Sequence, residues 1–461
     1  MIQKFRNSIL LSAIGDSLGW ITEFEKSPHD LKKKYGVSHI EDFVEWEKFV
    51  GGRFNGYLDK INKGSYSDDT QLLLAVARSI KANGSIDNRY FSKIELPTWL
   101  SYARGAGRTI KNAAKKIGRK SAAWNNNFFK FKAGKTTIDY RESGANGAAM
   151  RILPIVLANH NDFDLIKEYI FSNSIITHGH PRAIVGAILY GFAIDKMLNQ
   201  NVEEFSYETY LTELGKQIKL EFNPDFVDNE KYEVWLNTWN NDSNQDFLSL
   251  YEETVQESLN ALRNIYKFIR DEKDTKDSLI EFGCYNPVTK GSGISTVIGG
   301  IYLAVKYYKD PSEAILKAVN SIGTDSDSIA AFTGGLIGSL YESEIIPPKW
   351  KEVQDSDYLY NVAENLYNIW DQGILTNPSP DIEALSNSLN QIKSDQYQEK
   401  EKINFDPLGK GVITNIDRQK TLTKGKYNLI IDVHFENGQS CKFSKLLDIK
   451  ENSHIENYSW S

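Results

Sequence analysis

The chain has 461 residues, 54 of them basic and 61 acidic, for a net charge of −7 and a pI near 5.7. A hydrophobic fraction of 41% with 12% aromatics excludes a largely disordered chain, and the overall acidity argues against generic nucleic-acid or membrane-surface binding by the whole protein. Only two cysteines, Cys284 and Cys441, occur, far apart; this excludes a disulfide framework or cysteine-rich zinc site and makes a reducing cytoplasm the simplest compartment.

At roughly 100–200 residues per domain the length predicts two to four units. No apolar run approaches the roughly 18 residues of a membrane span. Lys4 and Arg6 precede Ile9-Leu10-Leu11 in the manner of a secretory leader, but Ser12 and Asp16 cut the run short. Phe5, Ile9 and Ala13 have helical spacing, so a helix is expected there. Residues 1 to about 380 read as mainly helical, with wide apolar surfaces predicting buried helices over 70–80, 182–197, 296–305 and 327–340. Gly299, Gly300, Gly334, Gly335 and Gly338 fall inside two of these. Each costs about 1 kcal/mol against alanine, which implies close helix packing.

Residues 203–280 read as a helical insertion with a polar turn at 240–246 and a long helix over 251–269. The polar run lacks the glycine and terminal glutamate of a calcium loop. Residues 381–402 suggest a linker or last helix. From 403 the period changes to two: Tyr427, Leu429, Ile431, Val433 and Phe435 alternate with polar residues, Asn437-Gly438 signals a hairpin, and Cys441 and Phe443 resume the alternation. With a further strand at 412–416, residues 403–461 are expected to form a small β-rich, barrel-like domain. The expected fold is thus mainly all-α over 1–380 with a small β-rich C-terminal domain.

Two acidic-hydroxyl clusters open apolar helices: Ser67-Asp68-Asp69-Thr70 and Thr324-Asp325-Ser326-Asp327-Ser328. Ser, Thr and Asp cap helices well, but a cap needs one side chain, not paired carboxylates twice over. Asp68 and Asp69 repel each other, as do Asp325 and Asp327, unless a cation compensates them. Carboxylate and hydroxyl oxygens suit magnesium, manganese or calcium, and two such half-sites brought together suit two divalent ions. Gly291-Ser292-Gly293 looks like a truncated dinucleotide fingerprint, but it has no preceding strand and no third glycine.

Four further motifs accompany the clusters: Gly15-Asp16-Ser17-Leu18-Gly19-Trp20-Ile21-Thr22-Glu23-Phe24, Arg104-Gly105-Ala106-Gly107-Arg108, Ser143-Gly144-Ala145-Asn146-Gly147-Ala148-Ala149-Met150-Arg151, and Thr177-His178-Gly179-His180-Pro181. In this order, over about residues 5–345, the set resembles the ADP-ribosylglycohydrolase family, which includes the dinitrogenase-reductase-activating glycohydrolases and the eukaryotic ADP-ribosylhydrolases. The resemblance implies an all-α domain with a binuclear magnesium or manganese centre in a cleft. It implies Ser67, Asp68, Asp69, Asp325, Asp327 and Ser328 as metal ligands, and Glu23 as the catalytic or cleft-gating carboxylate. It also implies Gly105 and Gly107 against a diphosphate, with Ser143, Gly144, Asn146 and His178 lining the substrate. Asp16 is read as holding the first helix in place, Arg151 as a buried ion-pair partner or phosphate ligand, and His180 as a cap. The chain departs from the family pattern at Ser67 and Ser328, where threonine is usual, at Thr324, where glycine is common, and at Ala145, where glycine often precedes Asn-Gly.

The implied activity is metal-dependent hydrolysis releasing ADP-ribose from a modified protein side chain or a small-molecule conjugate. The alternative is a non-catalytic ADP-ribose binder or structural protein on the same fold. No membrane partner is expected, nucleic acid is not expected on the main domain, and the β-rich tail is a place for a protein partner.

Overall fold

The computed structural model describes residues 1–241, 243–375 and 396–449. The opening helix, Ile2–Glu23, runs through the centre of the molecule and is buried along almost its whole length. Its antiparallel partner is Ser326–Leu340. Gly15 and Gly19 on the first and Gly334 and Gly338 on the second make this pairing backbone to backbone. A Cβ on Gly15 would lie 2.3 Å from the Ala330 carbonyl oxygen, one on Gly19 2.5 Å from Asp327 Cα, one on Gly334 2.1 Å from the Leu11 carbonyl oxygen, and one on Gly338 2.5 Å from Asn7 carbonyl carbon. The glycine spacing therefore fixes the register, and with it the position of Asp327 beside the last turn of the opening helix.

Around this pair lie the other expected helices, Asp68–Arg78, Pro181–Leu198 and Gly293–Lys306, within one continuous apolar core. Gly300 abuts Phe332 and Gly335 abuts the Tyr190 hydroxyl, so these glycines too mark close approaches. The insertion folds as Tyr207–Glu221, Glu230–Asn241, Phe247–Arg270 and Thr275–Glu281. Its Trp235 and Trp239 indoles donate to the Tyr140 hydroxyl (2.9 Å) and the Gly179 carbonyl (2.8 Å). The insertion thus braces the segments on either side of residues 143–151 from behind. No helix among the described residues is long and apolar enough to cross a membrane. Both cysteines are buried and free.

Two short antiparallel hairpins interrupt the helical part, Trp46–Val50 with Tyr57–Ile61 and Lys130–Ala133 with Thr136–Asp139; the sequence reading had neither.

After residue 395 four strands follow, Lys402–Phe405, Gly409–Lys420, Lys426–Phe435 and Ser440–Asp448, paired antiparallel in sequence order. Asn437-Gly438 makes the last turn, with Gly438 at φ +96°. The expected barrel does not form: the sheet is open, its first strand has four residues, and its outer strands do not pair with each other. The sheet finds its cover on the helical body instead, with the Phe443 ring 5.8 Å from that of Tyr102. The apolar side chains of the sheet join the same continuous core. The Arg78 guanidinium donates to Gln439 Oε1 (2.7 Å), and Asp355 accepts from the Ser440 N–H (2.8 Å) and the Tyr66 hydroxyl (2.7 Å). The sheet also grips the first hairpin: the Gln419 amide bonds both the N–H and the carbonyl of Leu58 (2.9 Å each), and Asn428 donates to the Asn55 carbonyl (2.9 Å). Of the expected linker or last helix over 381–402, residues 381–395 lie outside the described residues, and Lys402 already belongs to the first strand of the sheet.

Candidate active site

Both acidic clusters lie at helix N-termini, where backbone N–H groups and the helix dipole favour anions. Ser67 caps Asp68–Arg78, its Oγ accepting from the Asp69 N–H (3.3 Å). Asp16, in the middle of the opening helix, fixes that N-terminus: its carboxylate accepts from the Ser67 N–H (3.1 Å), the Thr70 N–H (3.0 Å) and the Thr70 hydroxyl (2.6 Å). Asp16 therefore holds the first cluster against the opening helix. Thr22 does the same for the second, its hydroxyl lying 2.9 Å from that of Ser326.

The consequence is convergence. Ser328 Oγ donates to Asp69 Oδ1 (2.9 Å), joining clusters that lie more than 250 residues apart. Glu23, Asp325 and Asp327 each offer a carboxylate oxygen within 4.8 Å of the others'. Asn146 donates its side-chain amide to Asp325 Oδ2 (3.1 Å). The sequence-predicted Glu23, Ser67, Asp68, Asp69, Asp325, Asp327, Ser328 and Asn146 therefore line one cleft.

Burial and mutual repulsion act on every carboxyl there. Asp68 is pushed up to about 8, by burial first and by the charges of Asp327 and Asp16 next. Asp69, Asp327 and Glu23 rise well above the ordinary range, each chiefly by burial and then by neighbouring carboxylates. Lys48, from the first hairpin, faces this charge and is attracted by Glu23, Asp327 and Asp68; its ammonium lies 3.2 Å from the centroid of the Phe24 ring. Sequence reading missed Lys48. The donor set is all oxygen, rich in carboxylate and crowded enough to need cationic compensation, which fits a hard divalent ion.

The neighbouring loops take their places from local packing. Gly105 sits at φ +84°, and a Cβ there would lie 2.8 Å from Asp68 Oδ1, so position and conformation both require glycine. Gly107 opens the helix Arg108–Ile117, and a Cβ on it would point into open space. Arg104, which begins this loop, is held by the buried Asp59 of the first hairpin through two donors at 3.1 Å, and Lys442 of the C-terminal sheet reaches the same carboxylate at 3.2 Å.

Ser143 and Gly144 lead into the turn Asn146–Arg151. The Gly291-Ser292-Gly293 segment pairs with this loop: the Asn146 N–H donates to the Gly291 carbonyl and the Gly293 N–H to the Gly144 carbonyl, both at 3.0 Å. Among the described residues Arg151 has no ion-pair partner, and it is not positioned on the cleft. Fully buried, it donates to Asn173 Oδ1, the Asn173 carbonyl, the Gly147 carbonyl and Thr177 Oγ1 at 2.7–2.9 Å. His178 is 1% exposed and packs beneath the turn, its ring against Gly147 and its Nδ1 2.8 Å from Thr177 Oγ1. His180 caps Pro181–Leu198 by accepting from the Arg182 N–H (3.1 Å).

Comparison with known proteins agrees with this geometry. The family model described as ADP-ribosylglycohydrolase matches residues 1–374. An uncharacterized protein of Archaeoglobus fulgidus is 27% identical over 80% of this chain and 97% of its own length. The ADP-ribosylhydrolase ARH3 of Xenopus tropicalis is 25% identical over 76% of this chain and 90% of its own. A solved ADP-ribosylglycohydrolase-related protein complex shares the fold with a TM-score of 0.51 at 18% identity, covering 80% of this chain and 98% of that one. The match spans both acidic clusters, the glycine loop and the 143–151 turn, and the chain belongs to the ADP-ribosylglycohydrolase family.

Proposed function

We propose that this chain hydrolyses the bond between C1″ of ADP-ribose and an acceptor on a protein side chain or related conjugate, and that it does so with magnesium, or manganese in its place, in a two-ion centre. The observation that carries the reading is the convergence of Glu23, Asp68, Asp69, Asp325 and Asp327 at two helix N-termini and the end of a third helix. Ser67, Asp68 and Asp69 on one side, with Asp325, Asp327 and Ser328 on the other, would hold the ions. Bound there, divalent ions supply charge compensation, orientation of the ribose and a more acidic water.

The remaining work falls to the chain. Gly105 and Gly107 give the diphosphate a backbone surface without side chains, beside the N-terminus of Arg108–Ile117. Asn146 orients the Asp325 carboxylate. Ser143 and Gly144 border the substrate, and His178 supports the turn from below. Positive charge developing at C1″ is stabilised by the surrounding carboxylates. Glu23, close to Asp325 and Asp327 and facing Lys48, is the group we assign to acid/base work on the attacking water and the leaving atom, or to closing the cleft. The water oxygen bonds C1″, the glycosidic bond breaks, and the acceptor atom leaves carrying a proton.

Release of ADP-ribose from an arginine- or serine-modified peptide, with and without magnesium, tests this. Asp325→Ala is expected to lower kcat/KM by at least about 100-fold, as loss of a metal-holding group does. Full turnover by that variant, or full turnover in chelator, would exclude the mechanism. Metal-dependent binding of ADP-ribose with no release of acceptor would point instead to a non-catalytic binder.

A further inference from the structure

Three lysines from separate parts of the chain surround the acidic cleft. Glu23 feels the positive charge of Lys48, Asp68 that of Lys111 and Asp325 that of Lys290. Lys48 belongs to the hairpin strand Trp46–Val50, Lys111 to the helix Arg108–Ile117, and Lys290 directly precedes the Gly291-Ser292-Gly293 segment. All three are half-buried. Among the described residues none has a carboxylate oxygen within 4 Å of its ammonium. Each therefore acts on the cleft through its field and not through an ion pair. Three such charges cannot balance Glu23, Asp68, Asp69, Asp325 and Asp327, so the need for a divalent ion persists.

Lys48 reaches furthest. It is attracted by Glu23, Asp327 and Asp68, which come from the end of the opening helix and from both clusters, whereas the attraction on Lys111 comes from Asp68. Its place is built by aromatic packing. Trp46 and Lys48 lie on one side of their strand, and the Trp46 ring packs against those of Trp20 (5.2 Å) and Phe24 (6.4 Å). That side of the strand is thereby set on the end of the opening helix. The Lys48 ammonium then rests 3.2 Å from the centroid of the Phe24 ring, one residue past Glu23. A ring face attracts an ammonium yet offers it no oxygen, so the charge is held beside the carboxylates without being bonded to one. Burial works against the charged form of Lys48, and the three carboxylates work for it.

We propose that Lys48 is a built-in counter-charge of the cleft: it offsets the repulsion among Glu23, Asp68 and Asp327 before a metal binds, and it weakens the binding of the divalent ion that takes over this task. The second half rests on the metal-dependent reading above; the first half does not. Lys48 acts through the carboxylates and is a positioning residue.

Calorimetric titration of magnesium chloride into the full, chelator-stripped chain, with melting temperatures measured alongside, tests this. Lys48→Met is expected to bind magnesium about tenfold more tightly than the parent, the order of effect of one nearby unit charge in a partly solvated site. It should also melt lower than the parent in chelator, with the gap closing at saturating magnesium. Lys48→Arg, which keeps a cation on the Phe24 ring, should restore the parent affinity. Lys111→Met should shift the affinity in the same direction by less. A lysine that merely packs would lower the melting temperature on removal without tightening the metal, so magnesium binding by Lys48→Met that equals or falls below the parent overturns the proposal. If the parent binds neither magnesium nor manganese, the two-ion reading falls with the second half. The first half is then decided by a double variant: Glu23→Gln added to Lys48→Met recovers the lost melting temperature if Lys48 is a counter-charge, and absence of recovery rejects it.

Discussion

At the floor of the acidic cleft, two helices meet through glycine, main chain on main chain; at its rim, a short hairpin is held mostly by side chains, with one main-chain bond from the Thr423 N–H to the Phe54 carbonyl (3.1 Å). The floor places Asp327 beside Glu23 because Gly15, Gly19, Gly334 and Gly338 leave no slack between the opening helix and Ser326–Leu340. The rim places Arg104 and Lys48 through Asp59, Gln419, Asn428 and Lys442, side chains with rotatable bonds rather than main chain locked against main chain. The difference divides the labour. Carboxylates that repel one another need a support that cannot relax, whereas a loop that admits substrate needs one that can.

The largest effect should come from the floor. Gly334→Ala puts a methyl group onto the Leu11 carbonyl, a backbone atom that cannot step aside, and should cost about 3 kcal/mol. Thermal unfolding measures it; a cost below about 0.5 kcal/mol would show that the floor has slack after all. At the rim, Asp59→Asn leaves Arg104 and Lys442 facing a neutral group with Asp59 only 4% exposed. A stability loss of about 2 kcal/mol is expected, because both cations keep some exposure and the amide still accepts a hydrogen bond. Its kinetic signature should be a raised KM with kcat little changed, because Arg104 begins the glycine loop. An equal fall in kcat would mean that rim and floor are not separable.

Asp68 is raised to about 8 and Asp16 to about 6 in the folded chain, whereas in the unfolded chain both ionise near the usual carboxylate value. Between about pH 4 and pH 8 the unfolded state therefore binds fewer protons than the folded one, and the stability of the metal-free protein falls as pH rises. The melting temperature without metal should be several degrees lower at pH 8 than at pH 6, and saturating magnesium should flatten the difference. A metal-free protein that melts higher at pH 8 would contradict the crowding of charge described above. The smallest effect is at Gly107, where an added Cβ meets nothing. Gly107→Ala should leave stability within about 0.5 kcal/mol of the parent while raising KM, separating a substrate-facing glycine from a packing glycine.

What the sequence disclosed follows the same division. The floor was legible because apolar periodicity, glycine spacing and the two acidic clusters all lie within single helices. The tail's strands were legible through strict alternation and Asn437-Gly438, but the barrel was not to be had from them, since the surface that covers Phe443 belongs to Tyr102, distant in sequence. The first hairpin stayed hidden for an instructive reason. Trp46, Lys48 and Val50 share one side of its strand, and the charged Lys48 turned toward the cleft breaks the apolar alternation that would have announced it. Gly291-Ser292-Gly293 likewise looked like a failed nucleotide motif, because its pairing with Gly144 and Asn146 is a long-range hydrogen-bond match that leaves no local pattern. His178 has a motif address at the cleft yet packs beneath the turn, which only the burial of its ring reveals.

One helix deserves to be followed from end to end. Asp68–Arg78 begins with a pair of cleft carboxylates and finishes with Arg78, whose guanidinium is shared between the fully buried Glu95 and Gln439 of the C-terminal sheet. It is a rod about 16 Å long with one tip in the chemistry and the other in the tail. If ordering one tip lowers the freedom of the other, thermodynamic reciprocity makes the influence run equally in both directions. Filling the cleft should make the sheet harder to peel away, and a tail loosened at Gln439 should weaken occupancy of a cleft it never touches.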